Sequence, residues 1–141
     1  VAPPCGGVYT YGMGEAKGIE AIVQEFRERN PGIPVELEHE SLSCRLSLSG
    51  ALGMQASYKL QALLLEVIDA IPEGTLVVVD LAHVDYISST GVGALSSALV
   101  RAHRRAVPFM LAHLQPKVRG GFQILGLIGY FREAPEPGPA V

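Results

Sequence analysis

Between Glu15 and Asn30 the apolar residues Ile19, Ile22, Val23 and Phe26 recur three and four positions apart. That spacing predicts an amphipathic helix. Glu15 comes early and Arg27 and Arg29 come late, as the helix dipole prefers, and Asn30-Pro31-Gly32 stops the element. The period then drops to two. Val35 and Leu37 alternate with Glu36 and Glu38, and after a turn near Glu40 to Leu42 the residues Cys44, Leu46 and Leu48 alternate with Arg45, Ser47 and Ser49. This is the pattern of a β-hairpin with one wet face.

From Gln55 to Ile71 helical spacing returns with Tyr58, Leu60, Leu63, Leu64, Val67, Ile68 and Ile71, and Pro72-Glu73-Gly74 ends the stripe. The next run, Thr75-Leu76-Val77-Val78-Val79-Asp80-Leu81, is apolar on both parities and β-branched, which predicts a central strand covered on both faces. Asp85-Tyr86-Ile87-Ser88 then leads through Ser89-Thr90-Gly91 into a helix with Val92, Leu95, Leu99 and Ala102, closing in Arg101, Arg104 and Arg105. Val107 to Ala112 reads as another buried strand. Gln115-Pro116 opens a helix over Val118, Phe122 and Leu125, Gly126 marks its end, and a short apolar piece, Ile128 to Phe131, follows. Strands alternating with helices from Thr75 onward predict an α/β fold with parallel central strands.

The ends have a different character. Six Pro or Gly fall within the first 14 residues, and Glu133 to Pro139 is too rich in Pro to pack. The expected organisation is a lead-in with an amphipathic helix over 1–32, one domain over 33–132, and a tail or linker over 133–141. At 141 residues, 48% apolar and 18% charged, the chain has enough material for one core and not for two.

A net charge of -3 excludes the basic face of a general nucleic-acid binder, and no apolar run approaches the roughly 20 residues that span a bilayer. Proteins or small ligands are the expected partners. The start at Val1, without a charged and apolar leader, looks like a piece of a longer chain or a processed product. Cys5 and Cys44 form no C-x-x-C pair, so a reducing, cytoplasmic setting is expected. His39, His83, His103 and His113 lack ligand spacing, and neither a metal nor a cofactor is predicted.

The chemistry concentrates in Ser88-Ser89-Thr90-Gly91, where a loop after a strand turns into a helix. The plain reading of these hydroxyls is an N-cap. A phosphate at the same place would put about -1.5 to -2 charges beside a positive helix end, so capping and switching are compatible.

The stretch Val77 to Leu95 resembles the STAS domain, the fold of bacterial anti-sigma-factor antagonists. It carries an apolar strand, Asp80-Leu81, then Val84-Asp85-Tyr86-Ile87, the hydroxyl cluster, and Gly91-Val92-Gly93-Ala94-Leu95. Ser49-Gly50-Ala51-Leu52 and Gly126-Leu127 with Phe131 are similar to flanking parts of the family, so the likeness spans roughly 35 to 132. It implies a sheet of four to five mostly parallel strands packed with helices, no enzymatic activity, and binding to an anti-sigma factor of the serine/threonine-kinase type. That kinase would phosphorylate a hydroxyl just before the Gly and weaken binding, and a phosphatase would restore it. Thr90 matches by register, with Ser89 beside it as the alternative acceptor. Asp80, Asp85, Ser88, Gly91 and Arg101 would complete the switch and partner surface.

The family often has Asp where Ser88 stands and an acidic or polar residue where Gly53 stands. STAS-like domains also serve as ends of anion transporters, stress-complex scaffolds and partners of lipid-transport ATPases. The helix within 15–29 is an addition to the minimal antagonist, and points to a larger parent or to a homodimerising element.

Other chemistries fit less well. A hydrolase would need Ser89 as nucleophile with His83 or His113 as base, yet no G-x-S-x-G occurs. Weak nucleotide binding at the Thr90-Gly91 helix start is physically reasonable, but no Walker motif occurs. Asp80 is expected to end the central strand near the switch. The cluster Arg101, Arg104 and Arg105 reads either as a dipole-matched helix end or as a contact for an acidic partner.

Overall fold

The computed structural model describes residues 18–134. The lead-in before Gly18 and the tail after Ala134 lie outside them. The elements in order are α1 (Ile19–Arg29), β1 (Val35–His39), β2 (Ser43–Leu52), α2 (Met54–Ala70), β3 (Leu76–Ile87), α3 (Ser89–Arg104), β4 (Phe109–Ala112), α4 (Pro116–Ile124), a 3-10 turn (Ile128–Tyr130) and β5 (Arg132–Glu133).

The five strands lie in the order β1-β2-β3-β4-β5, with β1 antiparallel to β2 and every later pair parallel. Each parallel step goes the same way along the sheet, and right-handed crossovers then put α2, α3 and α4 on one face. The core agrees with this. One cluster joins Leu64 and Ile68 of α2, Leu95 and Ala98 of α3, and Val118 and Phe122 of α4 to Cys44, Leu46, Val77, Val79 and Leu111 of the strands. Val78, of the opposite parity, is buried but stands outside that cluster. Among the described residues coverage by helices is therefore one-sided, where the sequence run led us to expect two covered faces.

Helix α1 is part of this core. Ile19, Ile22, Val23 and Phe26 are buried against α2 and β1. Arg27 Nε donates to the Val35 carbonyl at 2.8 Å, tying the helix to the edge strand.

Two strands outrun their sequence patterns. β3 continues past Leu81 to Ile87 and β2 past Ser49 to Leu52. The full-burial signal ends because His83, Asp85 and Tyr86 are exposed, while pairing continues through register shifts at Ser47/Ser49 and Gly50/Ala51. Gly50, at φ 87°, supplies the left-handed residue for the irregularity. Tyr58, placed by spacing on the buried stripe of α2, is instead exposed, and so is Leu125 of the stripe assigned to α4.

The closing segment is pinned from both sides. Gly126, at φ 72°, ends α4 with its N–H on the Gln123 carbonyl, while the Leu127 N–H reaches the Phe122 carbonyl, a Schellman pair of bonds. Phe131 then meets Phe122 edge-on at 5.1 Å between centroids. Ile128 to Tyr130 turns as a 3-10 segment, and the fifth strand is the polar Arg132–Glu133 beyond it. Arg119 grips Glu133 with two hydrogen bonds of 2.8 and 2.6 Å.

Candidate functional site

Two helices start at one rim of the sheet. β2 ends at Leu52 and β3 at Ile87, these residues are paired in register, and α2 and α3 follow almost at once. The Leu52 carbonyl holds the rim together: it accepts the Ser88 N–H at 3.0 Å and the Ser57 hydroxyl at 3.3 Å. Ser57 is 1% exposed. Sequence reasoning passed over it, although a hydroxyl residue three places before Leu60 on an apolar stripe is the signal of a buried polar group with a fixed partner.

Ser88 is the N-cap of α3, in extended geometry (φ -84°, ψ 169°). Its Oγ accepts the Gly91 N–H at 3.1 Å, and its carbonyl takes the Val92 N–H at 3.0 Å. The N–H groups of Ser89 and Thr90 have no partner among the described residues, and the first turn contains no acidic side chain. These are the free donors of a positive helix end. The Ser89 side chain is exposed and Thr90 is half-buried.

Gly91 is required by packing. A Cβ there would stand 2.6 Å from Ile87 Cγ1 and 3.1 Å from Ser57 Oγ. Gly121 of α4 leaves similar room on the other side, where a Cβ would come 3.0 Å from Ile87 Cγ2. Ile87 is thus seated between the first turn of α3 and the second half of α4, and the hydroxyl cluster is mounted on that seat. At the same end of the sheet Met54 and Tyr58 of α2 are 60% and 61% exposed, while Tyr86, next to Ile87 in β3 and so on the opposite face of the sheet, is 54% exposed.

Of the residues expected on the switch surface, Asp85, Ser88 and Gly91 meet at this rim with Ser89 and Thr90. Asp80 and Arg101 do not. Asp80 sits within β3, which runs on to Ile87 and does not end at Asp80. Its Oδ2 accepts Arg45 Nη1 at 2.6 Å, while Oδ1 accepts the Ala82 N–H at 2.9 Å and lies 3.0 Å from His113 Nδ1. Burial pushes the Asp80 carboxyl up, but the Ala82 N–H, His113 and Arg45 outweigh it and hold it below the ordinary carboxylate value. This carboxylate is a sheet-face tie. His113 holds it from a left-handed backbone position, φ 58°.

Arg101 lies near the far end of α3 and pairs with Asp69 of α2 at 2.5 Å. Arg105 donates to the Ile68 and Ile71 carbonyls at 2.6 and 3.1 Å, satisfying the C-terminal end of α2. Ser89 has no histidine as hydrogen-bond partner, and His113 is turned to Asp80. Among the described residues no group of three His, Cys, Asp or Glu could hold a metal. No helix there is long and apolar enough to cross a membrane.

Comparison with known proteins places this geometry. The family model described as "Mlab, STAS domain" matches residues 35–132. No curated protein matches. Among solved structures, an anti-sigma factor antagonist from Mycobacterium paratuberculosis is 21% identical with a TM-score of 0.64, covering 74% of this chain and 86% of that one. The anti-sigma factor antagonist SpoIIAA in its unphosphorylated form is 24% identical with a TM-score of 0.61, covering 73% and 90%. The Bacillus cell fate determinant SpoIIAA in its phosphorylated form is 23% identical with a TM-score of 0.56, covering 73% and 93%. At these identities the likeness to solved structures establishes the fold.

Proposed function

The chain belongs to the STAS domain family, and from that premise we propose that it is an anti-sigma-factor antagonist whose binding is switched by phosphorylation at the start of α3. It is a non-enzymatic domain, and in this reading it works in the cytoplasm by occupying an anti-sigma factor.

The observation that carries the reading is the pair of N–H groups at Ser89 and Thr90 that have no partner among the described residues, beside one exposed and one half-buried hydroxyl residue. A phosphate on either hydroxyl would gain donors and a favourable dipole without disturbing the Ser88 cap or the core beneath it. The fold would persist while the surface changed sign. Register with the family selects Thr90, and exposure selects Ser89, so both stand as acceptors. The partner would read Met54 and Tyr58 in the first turns of the neighbouring α2: aromatic residues and methionine are enriched where proteins meet, and both are exposed here.

The test is transfer of phosphate from ATP by the partner kinase, followed by mass spectrometry of the peptide holding residues 86–101. One phosphate on Ser89 or Thr90, absent from the Ser89→Ala/Thr90→Val double variant, supports the reading. No label from a kinase that phosphorylates another antagonist in the same assay overturns it.

A further inference from the structure

Because α2 and α3 start at the same rim, they run side by side in one direction, and a groove of ≈ 400 Å³ opens between them on the face away from the sheet. Half-buried Leu65 and exposed Val100 give it an apolar floor, and Gln61, Ser96 and Ser97 line it with short or polar groups. Short side chains let another backbone come close.

The charge of the groove is one-sided. Its charged lining is Arg101 and Arg104. Of the three arginines closing α3, Arg101 is held by Asp69 and Arg105 by the carbonyls of Ile68 and Ile71. Arg104 is exposed and has no partner among the described residues. The groove's lining contains no carboxylate, and Asp69, which meets the lining residue Arg101, is committed to it. An apolar floor with an uncompensated guanidinium at one end matches a helix that is apolar on one side and acidic on the next.

We infer that the α2–α3 groove is a docking site for an acidic amphipathic helix of a partner protein. On α3 the groove's lining runs from Ser96 to Arg104, and Thr90 lies a further six residues toward the rim, so a helix reaching from Arg104 to the proposed switch spans about 21 Å at 1.5 Å per residue, about four turns. This deepens the antagonist reading, and rests on it for the statement that one partner spans both ends. A phosphate at Ser89 or Thr90 then acts on the end of the helix nearest the rim, and Arg104 anchors the other.

The test uses the full chain and a synthetic 16-residue helical peptide with Leu at positions spaced three and four apart and Glu elsewhere. A second peptide replaces every Glu by Lys. Fluorescence anisotropy should show the Glu peptide binding more tightly than the Lys peptide, with amide shifts at Leu65, Ser97 and Val100. Arg104→Glu should weaken the Glu peptide about tenfold and strengthen the Lys peptide, the scale expected from reversing one exposed charge pair. Arg104→Gln should fall between. Val100→Asp should remove binding.

Amide shifts confined to other surfaces, or affinities indifferent to Arg104→Glu, would overturn the inference, as would sedimentation showing a second copy of the chain in the groove. A cognate anti-sigma factor that responds to phosphorylation yet ignores Arg104→Glu would overturn the groove and leave the antagonist reading standing. Peptide binding in a chain that no kinase labels would do the reverse.

Discussion

Gly91 and Ile87 share a space with room for one side chain: a Cβ on Gly91 would lie 2.6 Å from Ile87 Cγ1. Gly91→Ala should therefore cost about 1–3 kcal/mol through overpacking, despite the better helix propensity of Ala. Gly93, two residues on, meets nothing within 4 Å and is exposed. Gly93→Ala should stabilise by about 0.5–1 kcal/mol. Urea unfolding of the two variants checks the opposite signs, and equal effects would refute the seat assigned to Ile87.

The Ser88 hydroxyl accepts the Gly91 N–H at 3.1 Å. Ser88→Ala should lose about 1 kcal/mol of stability by removing the cap. Ser88→Asp keeps an acceptor and adds a negative charge at a helix start, so it should retain wild-type stability or exceed it. Thermal unfolding distinguishes the two. A loss in Ser88→Asp as large as in Ser88→Ala would show that the side chain does not cap.

Asp80 ties Arg45, the Ala82 N–H and His113 together across the sheet. Asp80→Asn should cost about 1–3 kcal/mol at neutral pH, since it removes the close charged partner of the half-buried Arg45 and leaves it only Glu38, 3.9 Å away. The pH dependence has a defined sign. The Asp80 carboxyl lies below its ordinary value of 3.8 in the folded chain, so its contribution is present above that value and fades as pH falls through the folded one. Urea titrations from neutral to strongly acidic pH should show the gap between wild type and Asp80→Asn narrowing at the acid end. A gap constant with pH would contradict the assignment.

The one cysteine among the described residues, Cys44, is fully buried, and burial pushes its thiol up to about 11. At pH 8 about one thiol in a thousand is ionised. In a Cys5→Ser background, iodoacetamide should therefore leave the native protein unlabelled over hours and react promptly in urea. Labelling of the native chain at the rate of a free thiol would show that β2 opens readily.

What the sequence made legible follows from periodicity. The stripes of α1 and α2, the alternation of β1 and β2 and the both-parity run of β3 gave element types in the right order, because each buries its apolar face in one shared core. The end of β3 was not legible: His83, Asp85 and Tyr86 face outward and read as loop, while backbone pairing with β2 carried the strand on to Ile87. The rim could be read at Ser88, because hydroxyls before a helix have few other uses. Ser57 offered a weaker signal, a hydroxyl on the apolar stripe of α2 with its partner Leu52 only five residues away, whereas the tie between Asp80 and His113 could not be read, since it joins residues distant in sequence. Tyr58 misled because spacing puts it at the edge of the stripe, where the neighbouring Ser57 is the residue that is buried and Tyr58 looks outward.

The central claim is that the start of α3 is a phosphorylation-controlled partner surface, and calorimetric titration of the cognate anti-sigma factor into the chain tests it most directly. The chain phosphorylated at Ser89 or Thr90 should bind at least about tenfold more weakly than the unmodified chain, a difference of about 1.4 kcal/mol, with its thermal stability retained or raised. Equal affinity of the two forms, with phosphate confirmed at that position, would contradict the account.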